Sequence, residues 1–258
     1  MTLTQNDHTD IGTLIAYAVQ PTQRPGRSQE YRRVLGRYRT ESDFRIATDA
    51  VLHGLHARVL SDGDFGLVLG VSPESPFAYR VGDMPHAATR IGRLMAGLVL
   101  VGVAAYAYPT PADLEEERIR RVADVEFEQW MRVICENLQE HDAAGEPVPD
   151  DGLDEAWRAY HEMPSTLVGD RGRGLGRLSP KCTLYWVRNV LGWLAEQGMA
   201  RADSTGGTWM LTERFRVQVK DMAGEPAYTF LAEAARRPRI RPSSPAVEPA
   251  RTDDGEKG

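Results

Sequence analysis

Apolar residues recur at helical spacing along most of this chain, and the clearest stretch lies between Leu178 and Ala223. Leu184, Val187, Val190, Leu191 and Leu194 fall three and four residues apart, which predicts one amphipathic helix. Ser179-Pro180 supplies a helix start. Gly198 supplies a stop, since a left-handed residue commonly ends a helix. Met199–Ala202 and Thr208–Thr212 then read as short strands around the reversal Asp203-Ser204-Thr205-Gly206-Gly207, and a closing helix follows.

A similar order occurs nearer the N-terminus. The pattern predicts a helix over 10–19 stopped by Pro21, then a loop over 20–29. Tyr31, Val34, Leu35 and Tyr38 share one face of a helix over 31–39. Phe44, Ala47, Val51, Leu52 and Leu55 do the same over 42–56. Arg58–Ser61 and Phe65–Val71 flank an Asp62-Gly63-Asp64 turn, a hairpin signal. Residues 86–141 read as helical throughout, with a break near Arg121–Asp124 and a stripe of Trp130, Val133, Ile134 and Leu138. A polar loop over 142–152 and a short helix over 153–163 lead into the stretch described first.

The predicted units are a flexible terminus (1–8), an N-terminal winged-helix-like domain (9–85) and a helical linker that starts the second domain (86–141). A C-terminal winged-helix domain (142–230) and a Pro- and charge-rich disordered tail (231–258) complete them. The expected fold is mainly α with small β-hairpins, an α+β class, as tandem winged-helix domains joined by a long apolar helix. Winged-helix domains either read DNA or mediate protein contacts.

A formal charge of −6 and a pI near 5.6 argue against coating nucleic acid by bulk electrostatics, so any DNA contact needs a local basic patch. The best candidate is the Gly-interleaved run with Arg171, Arg173, Arg177 and Lys181, followed by Arg188 in the helix. Backbone N–H groups, a helix N-terminus and guanidinium groups converge there, a combination that can hold phosphate. The Gly-Lys-Ser/Thr ending of a nucleotide-binding loop is missing. Arg32, Arg33, Arg37 and Arg39 surround the helix at 31–39 and read as a solvated face. The acidic run Glu115-Glu116-Glu117 precedes Arg118, Arg120 and Arg121 and reads as a self-complementing helix face.

Leu94–Tyr108 is the most apolar run, but its fifteen residues fall short of the roughly 20 that a membrane span needs, so it reads as a buried helix. A helix apolar all round must be buried somewhere, and Leu94, Leu98, Leu100, Val101 and Tyr106 are its candidate dimer or partner contacts. Cys135 and Cys182 read as small buried apolar residues without disulfide or zinc spacing, which suits a cytoplasmic location. His53 and His56 are three apart with no helpful third ligand. No nucleophile elbow, carboxylate pair or cysteine–histidine frame is visible; the expectation is no enzyme, no metal and no cofactor.

Several segments carry a resemblance. They are Ala57-Arg-Val-Leu-Ser with Phe65-Gly-Leu-Val-Leu-Gly, then Ser75-Pro-Phe-Ala and the apolar helix at Ile91–Tyr108. An acidic helix after Pro111, a Leu191-x-x-Leu194-x-x-x-Gly198-Met199 pattern and Trp209-Met-Leu-Thr-Glu-Arg-Phe215 complete them. Over residues 9–230 this order resembles the kite family, tandem winged-helix subunits of bacterial SMC complexes, and specifically the MukE-like subunit of the Wadjet plasmid-defence and MksBEF condensin systems. The loop at 165–180 departs from the compact connection such domains have. The resemblance implies a non-catalytic, nucleoid-associated subunit that forms a homodimer. It implies a kleisin-like partner, an SMC-type ATPase and DNA backbone contacts. The competing expectation is a free-standing winged-helix transcription regulator that lays residues 181–197 in the major groove.

Overall fold

In the computed structural model, residues 3–20, 22–143, 145, 151–168, 178–204 and 206–236 are described. The fold is mainly helical with small antiparallel sheets. Its buried side chains form two separate apolar clusters, one spanning Ile11–Leu69 and the other Met84–Ala234.

The first cluster is built by α1 (Gln5–Ala18), α2 (Gln29–Thr40) and α3 (Ser42–Gly54), followed by the hairpin of β1 (Ala57–Ser61) and β2 (Val68–Val71). Helix α1 begins earlier than the apolar pattern suggests. Thr4 and Asp7 form a reciprocal capping box there, so the expected flexible terminus at 1–8 is partly helical. Tyr31 of α2 is buried and its Oη accepts the Leu67 N–H at 2.9 Å, which ties the helix to the hairpin. Gly66 holds a φ of +89°, and a Cβ there would lie 1.9 Å from the Tyr31 hydroxyl, so only glycine fits.

The second cluster surrounds α4 (Arg90–Ala107), which packs against α6 (Asp124–Ala143), α7 (Asp151–Glu162), α8 (Thr183–Glu196) and α10 (Pro226–Arg236). Helix α4 is long and apolar enough to cross a membrane, and its buried share here lies inside the protein. Gly102 brings α4 close to α6, where a Cβ would meet Met131 Sδ at 2.5 Å. A short helix α5 (Pro111–Glu115) follows α4. The expected helix break near Arg121 is a strand, β3 (Arg121–Ala123). It pairs with β5 (Thr208–Leu211), which pairs in turn with β4 (Ala200–Ala202), giving an antiparallel order β3-β5-β4. Segment 86–141 contributes α4, α5, β3 and most of α6 to the second cluster.

Two further boundaries differ from expectation. Helix α8 starts at Thr183, and Ser179 sits in the preceding turn, where its carbonyl accepts the Cys182 N–H. The stop is as read: Gly198 has a φ of +67°. Helix α10 runs past residue 230 to Arg236, because Leu231, Ala232 and Ala234 are buried in the second cluster. Of the expected tail at 231–258, residues 237–258 lie outside the described residues.

The two units meet through α9 (Glu213–Asp221) on the β1–β2 hairpin. The Arg214 guanidinium is half-buried and donates to the carbonyl of Ala18 at 3.0 Å, at the C-terminal end of α1. A cation is favoured there because the last helical carbonyls lack partners. Gln218 Nε2 donates to the Leu69 carbonyl at 2.8 Å, and Arg58 pairs with Asp221 at 2.5 Å.

Candidate functional site

Two of the predicted DNA-contacting residues lie at or just before helix α8, and the structure separates their roles. Lys181 is exposed just before the helix. Arg188 is tied down: its Nε donates to Asp124 Oδ2 at 2.6 Å, and the Asp124 side chain is only 5% exposed. Asp124 also donates its N–H to the Gly207 carbonyl at 2.8 Å, so this carboxylate sits against the β4–β5 turn. Gly207 has a φ of +73° in that turn. Arg171, Arg173 and Arg177 lie outside the described residues.

Part of the outward side of α8 is covered by the chain itself. The segment between β2 and α4 crosses it as a strap over residues 79–86. Tyr79 packs on the Trp193 ring at 5.0 Å between centroids, and His86 meets Tyr185 edge-on at 5.6 Å. Asn189 Nδ2 donates to the Pro85 carbonyl at 2.8 Å. His86 holds a φ of +64°, a conformation costly for a residue with a Cβ. Trp186 and Trp193 are 3% and 7% exposed, so both indoles serve packing.

Both ends of the segment before α8 are pinned to α6. Thr183 Oγ1 donates to Glu128 Oε1 at 2.5 Å and accepts from Arg132 Nη2 at 2.9 Å. Arg132 Nε reaches the same carboxylate oxygen at 2.6 Å, and its Nη2 also donates to the Met163 carbonyl. The backbone closes the base, with Val168 bridged to Leu178 and the Ser179 N–H donating to the Leu167 carbonyl at 2.7 Å. Glu128 is buried, and pairing with Arg132 is what makes a carboxylate tolerable there.

Between the two units lies a groove of about 1000 Å³, whose walls include Leu60 and Phe65 from the hairpin region, Arg118 and Ile119 before β3, and Arg201 and Met210 from the sheet. Ion pairs occupy its α9 side: Lys220 with Glu115 at 2.7 Å, Arg216 with Glu213, and Asp221 with Arg58. The acidic run is not a continuous helix face, because α5 ends at Glu115; Arg120 reaches back to Asp113 and Glu116 instead. Arg118 and Arg121 are both exposed, and neither reads as a site from a run that looks self-neutralising. Their relation to Arg201 comes from strand register, which no local spacing reports.

The proposed contacts on α4 divide similarly. Leu98 is 3% exposed inside the second cluster and so belongs to this chain's own core. Leu94, Leu100, Val101 and Tyr106 are partly buried against that cluster, with Tyr106 stacked edge-on between Phe127 and Trp130 at 5.4 and 5.1 Å. Ile91 is the exposed apolar residue of this helix, at 44%. Among the described residues no three His, Cys, Asp or Glu side chains converge to hold a metal. Comparison with protein-family models, with characterised proteins and with solved structures finds no match.

Proposed function

We propose that this chain is a non-catalytic accessory subunit of an SMC/condensin-like, DNA loop-extruding complex, built as tandem winged helices in the manner of MukE-like kite proteins. In this reading it dimerises, binds a kleisin-like subunit beside the SMC-type ATPase and touches the DNA backbone, in plasmid defence or chromosome organisation. ATP hydrolysis belongs to other subunits.

The winged-helix part is supported by connectivity. A helix, a strand, further helices and then a strand–turn–strand, with β3 on the far side of β5 from β4, is the arrangement such a domain requires. The three helices and hairpin of the first unit supply a shorter version.

One observation carries the choice of a protein-contact module over a free-standing regulator. A groove-reading helix needs several polar side chains free to meet base edges. On α8, Arg188 is committed to Asp124, Asn189 to Pro85, and Tyr185 and Trp193 lie under the strap. Affinity purification of the tagged chain from its host tests the reading. Stoichiometric recovery of a long coiled-coil ATPase and a kleisin-like chain is expected. Recovery of the chain alone, as a dimer that shifts one specific DNA fragment at moderate salt, would overturn it in favour of the transcription regulator.

A further inference from the structure

We infer that the groove-lining face of the β3-β5-β4 sheet is a contact surface for the phosphate backbone of duplex DNA, with Arg118, Arg121 and Arg201 as the phosphate-binding side chains. This rests on the DNA-contact part of the proposed function and moves that contact away from α8.

The register places the cations. Arg121 and Arg201 are both Cα partners of Met210, so the three side chains project from one sheet face as a row. With neighbouring strands about 4.8 Å apart, the two arginines are roughly 10 Å apart across the sheet. Arg118 precedes the same edge strand and lines the groove together with Arg201 and Met210.

Several arginines of the protein are already committed. Arg33, Arg37, Arg58, Arg120, Arg132, Arg158, Arg188 and Arg216 all hold carboxylates. Arg118, Arg121 and Arg201 are exposed, and no described residue forms a hydrogen bond or ion pair with any of their guanidinium groups. The nearby acids are largely engaged, with Glu115, Glu213 and Asp221 each holding a cation. Glu117 and Asp64 also line the groove and match Arg118 and Arg201 in number, while Arg121 stands outside that lining. Two exposed guanidinium groups on one strand face, with a third just before the edge strand, suit a polyanion, and guanidinium pairs bidentately with phosphate. Gly206 and Gly207, at positive φ in the adjoining β4–β5 turn, add backbone that carries no side chain.

The test is fluorescence polarisation of a labelled 30-base-pair duplex of scrambled sequence with the full chain, read across a salt series. The variant Arg118→Ala/Arg121→Ala/Arg201→Ala is compared with Arg27→Ala/Arg32→Ala/Arg45→Ala, which removes the same charge from exposed positions of the first unit. Circular dichroism checks that both remain folded. The sheet variant is expected to bind at least tenfold more weakly at low salt. Its slope of log affinity against log salt should fall by about 2–3, near 0.9 for each phosphate no longer neutralised, with the other variant close to wild type. Equal losses in both variants would overturn the inference in favour of bulk charge. An unchanged sheet variant beside a DNA-binding wild type would overturn the location and leave the DNA reading standing. A wild type that binds polyglutamate through this face, and no DNA at low salt, would overturn both and make it a surface for an acidic protein segment.

Discussion

Arg188 Nε lies 2.6 Å from Asp124 Oδ2, joining an exposed position on α8 to a carboxylate that is 5% exposed beneath the β4–β5 turn. Removing the guanidinium leaves a buried carboxylate without its cation. Arg188→Ala is therefore expected to lower stability by about 1–2 kcal/mol, the cost of a buried charged acceptor losing its donor. Arg188→Lys should recover part of this. A urea titration reads the loss, and duplex binding by Arg188→Ala at the wild-type level would show that the residue serves the fold. A variant as stable as wild type but deficient in DNA binding would return Arg188 to the interface.

Gly97 and Gly102 lie on the same helix and predict opposite responses to alanine. Around Gly97 a Cβ meets nothing within 4 Å, so Gly97→Ala should stabilise α4 by up to about 1 kcal/mol through helix propensity. At Gly102 the Cβ would sit 2.5 Å from Met131 Sδ and 3.4 Å from Phe127 Cζ, and Met131 is fully buried. Gly102→Ala should destabilise by about 1–3 kcal/mol through overpacking. Thermal melts of the two variants decide it; a gain at both positions would mean that α4 and α6 stand further apart than these distances allow.

The α1–α2 contact is ionic and predicts sensitivity to acid. Arg33 and Arg37 both bind Asp10, and Arg37 also binds Asp7 and Glu41. Hydrogen bonding from Arg33, with Arg37 assisting, holds the Asp10 carboxyl at about 2, below its ordinary 3.8. A carboxyl depressed in the folded state stabilises fully above its unfolded value and loses that contribution as pH falls through the folded one. The loss should therefore develop between about pH 4 and pH 2. Asp10→Asn should cost about 1 kcal/mol at neutral pH and flatten the acid limb. Urea midpoints at pH 5 and pH 2.5 measure both; parallel pH dependence in variant and wild type would sink this account.

Burial pushes the Cys135 thiol up to about 12, leaving almost no thiolate at neutral pH. The native protein should resist a disulfide reagent at this position, and unfolding in guanidinium should release it. Peptide mapping after timed labelling reads Cys135 separately from Cys182. Rapid native modification of Cys135 would place it at an accessible surface.

Much of the helical framework was legible in the sequence because local periodicity encodes it: Leu184, Val187, Val190, Leu191 and Leu194 all lie buried on one side of α8. Strand β3 was not legible. Arg121-Val122-Ala123 offers one apolar residue inside a charged run, and it becomes a strand only because β5, far along the chain, supplies its partner. The strap over α8 was hidden for the same reason, since neither Tyr79 nor Pro85 shows any spacing that points to Trp193 or Asn189. The candidate site fared worst. Local charge counting neutralises Arg118 and Arg121 against the adjacent glutamates, whereas cross-strand register sets Arg121 and Arg201 on either side of Met210.

Helix α4 has a consequence for biosynthesis. It leaves the ribosome before every helix that covers it, and α10, a principal neighbour, ends the described chain. The stretch from Ala107 to Pro226 takes about 6–24 s to synthesise at roughly 5–20 residues per second. Over that interval the neighbours of this eighteen-residue apolar helix are made one by one, α10 last, so its cover is incomplete throughout. Trigger-type chaperones that shelter apolar segments at the exit tunnel should therefore govern the soluble yield of this protein more than its final stability does.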